Sequence, residues 1–211
     1  MTTAEIVSTA ISILALIISG IAAYRTLFAR FRSEIYVRPR IFLSRLNKAP
    51  CIVVGCEISN QGACPGSIDD IVLRVKHRQH GVWQGTTKSI NTYTFLPTLV
   101  REEYSLFKPY QESDFEPFQS VALSANTRLT KYIVFSPSDE AGFSPSTGEI
   151  ELRFFKRNSQ ESSWREVRTR LQIPIDENAA NIWGDPDGKS IMLEVTEHNR
   201  LRANLMERIS G

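Results

Sequence analysis

The apolar positions of this chain change pattern near residue 30. From Ile6 to Ala23 no residue is charged, and Arg25, Arg30 and Arg32 follow directly. A helix rises about 1.5 Å per residue, so a run of this length spans roughly the 30 Å hydrocarbon core of a bilayer. The pattern predicts a short tail at 1–5, one transmembrane helix at 6–28 and a basic juxtamembrane linker at 29–34.

Beyond the linker, apolar and polar residues alternate with a period of two, which is typical of strands with one buried face. The alternation is clearest at Ile52, Val54, Cys56 and Ile58. Further strands are predicted at 34–46, 67–76, 118–123, 130–135, 148–156, 164–175 and 190–195. Without amphipathic helices between them, these strands predict a mainly β domain over 35–196, an antiparallel immunoglobulin-like β-sandwich.

The turn after the clearest strand reads Asn60-Gln61-Gly62-Ala63-Cys64-Pro65. Gly62 permits a positive φ, and Pro65 cannot occupy a central ladder position. This turn resembles the N-x-G-x-x-P turn of bacterial immunoglobulin-like domains. The whole layout is similar to uncharacterised bacterial single-pass membrane proteins with an N-terminal helix and such a sandwich. The resemblance implies architecture and no functional residue.

Two stretches depart from the strand pattern. The tail at 197–211 has helical spacing at Leu201, Leu205 and Ile209, with Thr196 as N-cap, which predicts a short C-terminal helix. It either packs on its own domain or binds a partner or the membrane surface.

The second stretch, 86–117, is predicted to be irregular and rich in aromatic rings. Pro97, Pro109 and Pro117 interrupt it. A long ring-rich loop is typical of a recognition surface, although the rings could instead cover one end of the sandwich. The candidate contact residues for a partner or ligand are Tyr93, Phe95, Tyr104, Phe107, Tyr110 and Phe115.

The charges flanking the apolar run predict its orientation. Basic residues next to a membrane helix are retained on the cytoplasmic side, so the N-terminus is expected outside and the sandwich in the cytoplasm, at the cell inner membrane. A cleaved signal peptide would carry its basic residues before the apolar run, and only Glu5 precedes it here. A buried helix of a soluble protein is the remaining alternative.

Charge also limits the partners. Removing Arg25, Arg30, Arg32, Glu5 and Glu34 from the totals of 25 basic and 23 acidic residues leaves a nearly neutral domain. A nucleic-acid surface normally shows a basic excess, so none is expected. The three arginines are predicted to contact anionic headgroups of the membrane lipid.

The chain lacks the common signatures of catalysis and cofactor binding. It contains none of the Gly-rich phosphate-binding motifs, the nucleophilic-serine motif or the zinc-hydrolase motif. Neither the cysteines Cys51, Cys56 and Cys64 nor the pair His77 and His80 have the spacing of a zinc site. We therefore expect no cofactor, no metal, no catalytic residue and no enzyme, although an unrecognised hydrolase or transferase site stays an alternative.

Small residues recur every fourth position on the predicted helix, at Ala15, Ser19 and Ala23. Such a face lets two helices approach closely in lipid, so a homo-oligomer could form through it. Two functions follow from the sequence. The first is a membrane-anchored adaptor whose sandwich binds an unknown protein partner. The second is an oligomeric sensor or effector, in which the sandwich binds a ligand and the helices perturb the membrane.

Overall fold

The computed structural model describes residues 2–27, 29–46, 48–79, 82–88, 91–95, 115–137, 143, 145–159, 161–185 and 190–195. Two helices and eleven strands lie within this part of the chain. In chain order they are α1 (Thr3–Leu27), β1 (Ser33–Leu46), β2 (Ala49–Asn60), β3 (Gly66–Gln79), β4 (Val82–Lys88), β5 (Asn91–Phe95), β6 (Phe115–Pro117), β7 (Val121–Leu123), β8 (Arg128–Ser136), β9 (Gly148–Asn158), β10 (Arg165–Ile175), α2 (Glu177–Gly184) and β11 (Ile191–Glu194).

α1 contains the predicted membrane segment. Thr3–Tyr24 is long and apolar enough to cross a membrane, and its residues are exposed in the isolated chain. The predicted span of 6–28 overlaps this helix closely. The helix begins three residues earlier than predicted because Thr2 accepts the first hydrogen bonds through its carbonyl oxygen, and its N–H is 2.8 Å from the Glu5 carboxylate.

The strands form two antiparallel sheets. Sheet A has the order β11-β1-β2-β8-β5-β6, and sheet B has the order β10-β9-β3-β4, with β7 paired to β3. Strands β9 and β10 follow each other in the chain and pair in antiparallel register, in which Leu171 faces Leu152. We call the end of the domain where the chain enters β1 at Ser33 the proximal end. The opposite end, at the β1–β2 hairpin, is the distal end.

One apolar core fills the space between the sheets. It contains Ile52, Val54, Cys56 and Ile58 of β2, the residues at which the alternation is clearest. The rings of Phe135 from sheet A and Phe154 from sheet B meet there edge to face at 5.9 Å. The sequence prediction of a mainly β, two-sheet antiparallel fold is confirmed because period-two patterning directs alternate residues into this core.

A second apolar cluster lies on the outer face of sheet A. It contains Phe42, Leu46, Cys51, Val53 and Val134, all buried, with Phe115 and Tyr132 packed against them. The prediction that β2 has one buried face is therefore wrong. Both of its faces carry apolar residues, since Cys51 and Val53 alternate with the inward residues and are themselves covered.

Several elements differ from the sequence prediction. The segment 86–117, predicted to be irregular, contains β5, β6 and the last residues of β4, because their backbones pair with partners distant in sequence. Strand β7 covers only three residues of the predicted 118–123. The predicted C-terminal helix at 197–211 lies outside the described residues.

The short helix α2 was not predicted. Asp176 is its N-cap, and its carboxylate accepts a hydrogen bond from the Ala179 N–H at 2.7 Å. Ala179, Ala180 and Trp183 face the core, and Trp183 is 1% exposed. The helix therefore covers the distal end of the sandwich.

Strand β10 is one edge of sheet B among the described residues, since it pairs only with β9. Pro174 and the charged residues Arg165, Glu166, Arg168 and Arg170 lie along it. On sheet A, β11 pairs with residues 40–43 of β1, whereas the described pairing of residues 33–37 is with β2. The first residues of β1 and of β10 line one groove at the proximal end.

Candidate functional site

The helix-association residues Ala15, Ser19 and Ala23 lie on α1 and are exposed. Arg25 also lies on α1, but its side chain is outside the description. Arg30 and Arg32 follow the helix, and both are exposed. The structure therefore leaves the small-residue face and two of the three predicted headgroup-binding arginines accessible.

Three of the six predicted contact aromatics lie on described strands. Tyr93 and Phe95 belong to β5 and Phe115 to β6, and Phe95 is the register partner of Phe115. The segment between them therefore starts and ends at an antiparallel pair on sheet A. The half-buried Phe115 packs on the outer cluster, which is a structural contact for this ring. Tyr104, Phe107 and Tyr110 lie outside the described residues.

The juxtamembrane segment 29–32, predicted as a linker, is hydrogen-bonded to the turn at 60–64. The Ala29 carbonyl accepts hydrogen bonds from the N–H groups of Ala63 and Cys64 at 2.9 and 3.1 Å. Three residues further on, the Arg32 carbonyl accepts one from the Gln61 N–H at 2.9 Å. We call this contact the junction.

Asn60 is the centre of the junction. Its Oδ1 accepts hydrogen bonds from the N–H groups of Gly62 at 2.8 Å and Arg32 at 3.3 Å. Its Nδ2 donates to the carbonyls of Cys64 at 2.9 Å and Ser124 at 3.0 Å. One buried amide thus satisfies four backbone groups from three segments, which is how a polar side chain is accommodated at 2% exposure.

Two glycines allow the close approach of the junction. A Cβ at Gly62 would lie 2.0 Å from the Arg30 carbonyl oxygen, and one at Gly66 would lie 2.4 Å from the Phe31 ring. Gly62 does not use the positive φ that a glycine permits, since among the described glycines only Gly148 has one. Gly62 is required because the incoming backbone lies against its α-carbon.

Beside the junction, a buried polar network joins the two sheets. The Lys156 ammonium of β9 donates to the Ser33 carbonyl and, at 2.6 Å, to the Ser33 hydroxyl of β1. That hydroxyl donates to Asn158 Oδ1 at 2.8 Å. Lys156 has no carboxylate within 4.0 Å among the described residues. Desolvation by burial therefore lowers the pKa of Lys156, although the nearby charge of Glu161 partly opposes this effect.

A polar groove of about 590 Å³ opens between β1 and β10 at the proximal end. Lys156 and Ser33 line it together with the first residues of both strands. Its charged lining consists of Arg32, Arg128, Lys156, Arg165 and Arg168 and the carboxylates of Glu34, Glu57 and Glu166. The cations exceed the carboxylates by two, so the groove favours an anion.

Other reactive side chains are dispersed. No group of three metal-ligating side chains occurs among the described residues. The three cysteines are free, and burial raises the pKa of Cys56 to about 12 and that of Cys51 further, so both thiols stay protonated near neutral pH. His77 Nε2 lies 3.1 Å from the Ser146 hydroxyl at the distal end of β3, and no carboxylate contact to this ring is described.

Sequence reasoning identified the Asn60 turn but missed its partner. It also missed Lys156, Arg165 and Arg168, which looked like ordinary polar positions on strands. A lysine on the otherwise apolar face of a strand is one available signal, because such a position needs polar partners. The identity of those partners depends on contacts between residues more than a hundred positions apart.

Comparison with known proteins identifies no family: no family model and no curated protein matches the chain. Among solved structures, the sporulation control protein Spo0M from Bacillus subtilis aligns with a TM-score of 0.31 and 7% identity. The alignment covers 64% of this chain and 48% of Spo0M, so the chain spans about half of that protein's length.

Proposed function

We propose that this chain is a single-pass membrane-anchored adaptor, whose sandwich is a protein-binding module in the cytoplasm rather than an enzyme. The junction is the observation that carries the proposal. The two hydrogen bonds to the Ala29 carbonyl fix the start of the domain only two residues beyond α1, which ends at Leu27. A surface held so close to its anchor would face other membrane proteins at a constant distance from the bilayer.

The proposed contact surface is the aromatic segment. Its ends, Phe95 and Phe115, meet at the edge of sheet A, and β5 runs from the distal towards the proximal end, since Asn91 faces Ser136 and Thr94 faces Ile133. An edge hairpin with a long connection is a common position for binding residues. Tyr104, Phe107 and Tyr110 remain the central candidates because aromatic rings are enriched at interfaces.

The test is photo-crosslinking of the full-length chain in native membranes, with a photoreactive residue at position 104 or 110. We expect a discrete crosslinked partner, and we expect the triple alanine variant of Tyr104, Phe107 and Tyr110 to lose it in affinity capture. The double variant Trp164→Ala with Met192→Ala is the matched control, because both side chains are exposed on other parts of the domain. Equal capture by the triple variant and the wild type would exclude this surface.

The junction has its own test in the same assay. Gly62→Ala places a methyl group against the Arg30 carbonyl oxygen, whereas a Cβ at Gly184 has its nearest neighbour at 3.9 Å. We expect Gly62→Ala to reduce partner capture and Gly184→Ala to leave it unchanged. An unchanged yield for both variants would show that a fixed attachment is unnecessary.

The oligomeric sensor or effector is the second candidate, and the exposure of α1 favours it. Ala15 and Ser19 are exposed in the isolated chain, so this face of the helix is accessible for another helix. Light scattering in mild detergent tests this candidate. We expect an oligomer that Ser19→Ile dissociates and that Ile18→Leu preserves, and a monomeric wild type would exclude it.

A further inference from the structure

The charges that line the groove between β1 and β10 are unevenly satisfied. Each carboxylate in the lining lies beside an arginine: Glu34 beside Arg32, Glu57 beside Arg128 and Glu166 beside Arg170. By contrast, Lys156 and Arg168 have no carboxylate partner among the described residues. The groove therefore has two positive charges that form no ion pair within 4.0 Å in the described part of the chain, although Glu161 lies near Lys156.

The arginines at the rim can exchange their partners at little cost. Arg32, Arg128 and Arg165 are 63%, 70% and 65% exposed, and each forms one surface ion pair. Exposed pairs of this kind contribute about 0–1 kcal/mol. Two oxygens of one phosphate group can accept two parallel hydrogen bonds from a guanidinium group, so a phosphate competes well with such a pair.

The position of the groove brings it next to the bilayer surface. Arg32, at its edge, is five residues beyond the end of α1 at Leu27, which limits the separation to about 18 Å. The junction holds residues 29–32 against the domain, so the groove stays near the helix end. The layer of polar headgroups outside the hydrocarbon core is about 5–8 Å thick on each side.

We propose that this groove binds the phosphate group of an anionic lipid headgroup. Lys156 supplies a buried positive charge at its floor, and Arg128, Arg165 and Arg168 supply the rim. This site extends the simple basic patch of Arg25, Arg30 and Arg32 with cations from β8, β9 and β10. It requires the membrane anchoring of the proposed function but neither the adaptor role nor a partner.

The experiment measures binding of a short-chain phosphatidylglycerol to the full-length chain in neutral detergent, by native mass spectrometry. Short-chain phosphatidylcholine and inorganic phosphate are parallel probes. The variant Arg165→Gln with Arg168→Gln removes two exposed rim cations. We expect about 30-fold weaker binding of phosphatidylglycerol, since each basic side chain near an anionic surface contributes a factor of about five.

The variant Arg74→Gln with Lys76→Gln is the matched control, because it removes two cations of β3 that do not line the groove. We expect less than about a twofold change for this pair. Equal losses for both pairs, or equal wild-type binding of phosphatidylcholine and phosphatidylglycerol, would overturn the proposal. If inorganic phosphate binds as tightly as phosphatidylglycerol, the groove recognises phosphate alone, and the proposal that the phosphate belongs to a lipid headgroup is overturned.

The result is independent of the adaptor proposal. Loss of the crosslinked partner in the aromatic variant, with lipid binding intact, would leave the groove unaffected. Loss of lipid binding in the rim variant, with partner capture intact, would leave the adaptor unaffected.

Discussion

The two ends of the sandwich are closed by different physical means. At the distal end, the Trp183 side chain is buried in the core, and its indole N–H donates to the Ser44 carbonyl at 3.1 Å. At the proximal end, Asn60, Ser33 and Lys156 form polar contacts between separate segments. An apolar closure stabilises through buried area, whereas a polar closure mainly specifies which backbone lies where.

The same contrast extends to the charged residues at each end. Arg45 donates to the carbonyls of Trp183 at 2.9 Å and Gly184 at 2.5 Å, so a cation covers the C-terminal end of α2, where it is electrostatically favourable. The proximal cations instead surround an open groove. The charged contacts at the distal end therefore stabilise the fold, whereas the cations at the proximal end remain accessible to an anion.

The largest expected effect is at the distal end. Trp183→Ala should reduce the free energy of unfolding by about 3–5 kcal/mol, because it leaves a cavity beneath α2. Denaturant unfolding of the full-length chain in mild detergent measures this loss. Trp164→Ala is the control, since Trp164 is 43% exposed and should cost about 1 kcal/mol or less. Equal costs for the two tryptophans would refute the apolar closure.

At the proximal end, Asn60→Ala should cost about 2–3 kcal/mol, since it leaves buried backbone groups without partners. In this variant, hydrogen exchange at the amides of Ala63 and Cys64 should be accelerated relative to the wild type, and more so than at the amides of the core strands. Asn178→Ala, at an exposed position of α2, is the control and should stay within about 0.5 kcal/mol. Uniform loss of protection across both ends would mean that the junction is not a separate unit.

A smaller effect is expected at the N-cap of α2. Asp176→Ala should reduce the free energy of unfolding by about 1 kcal/mol, because the Ala179 N–H loses its acceptor. Asp176→Asn keeps an acceptor and should retain most of the stability. If the two variants behave alike in denaturant unfolding, the cap contributes nothing to the distal closure.

The smallest effect is confined to alkaline pH and concerns Lys156. Its pKa in the folded chain lies below the ordinary value of 10.5, so between the two values the unfolded chain binds more protons. The contribution of this residue to the free energy of unfolding therefore rises with pH in that window. Lys156→Gln should remove this rise, whereas Lys131→Gln, on β8, should retain it. Parallel pH profiles for the wild type and Lys156→Gln would contradict the burial of a charged amine.

The distinction between the two ends also explains what could be predicted from the sequence. The core strands were identified because residues such as Ile150, Leu152 and Phe154 alternate locally, and the same side chains are buried. The helix α2 was missed because only Ala179, Ala180 and Trp183 mark its apolar side, next to a cluster of turn residues. Its signal was the N-cap Asp176 before that spacing.

The proximal site was less accessible to sequence reasoning. The turn at Asn60 was visible, but its contact with residues 29–32 is set by packing that no local pattern records. Ser33 and Lys156 come together only because β1 and β9 meet at the seam between the sheets. Local chemistry predicts elements, whereas a groove depends on how distant elements are brought together.

The edge of β10 influences whether copies of this chain associate with one another. With the proposed membrane anchoring, this chain would meet its neighbours in two dimensions, where an unprotected strand edge would pair with the edge of another copy. This edge carries three arginines and Glu166, so its net positive charge repels the identical edge of another copy, and Pro174 lacks the N–H that a paired strand would need. The edge is thus protected against self-assembly through backbone pairing, which would keep copies dispersed if the proposed anchor concentrates them in a membrane.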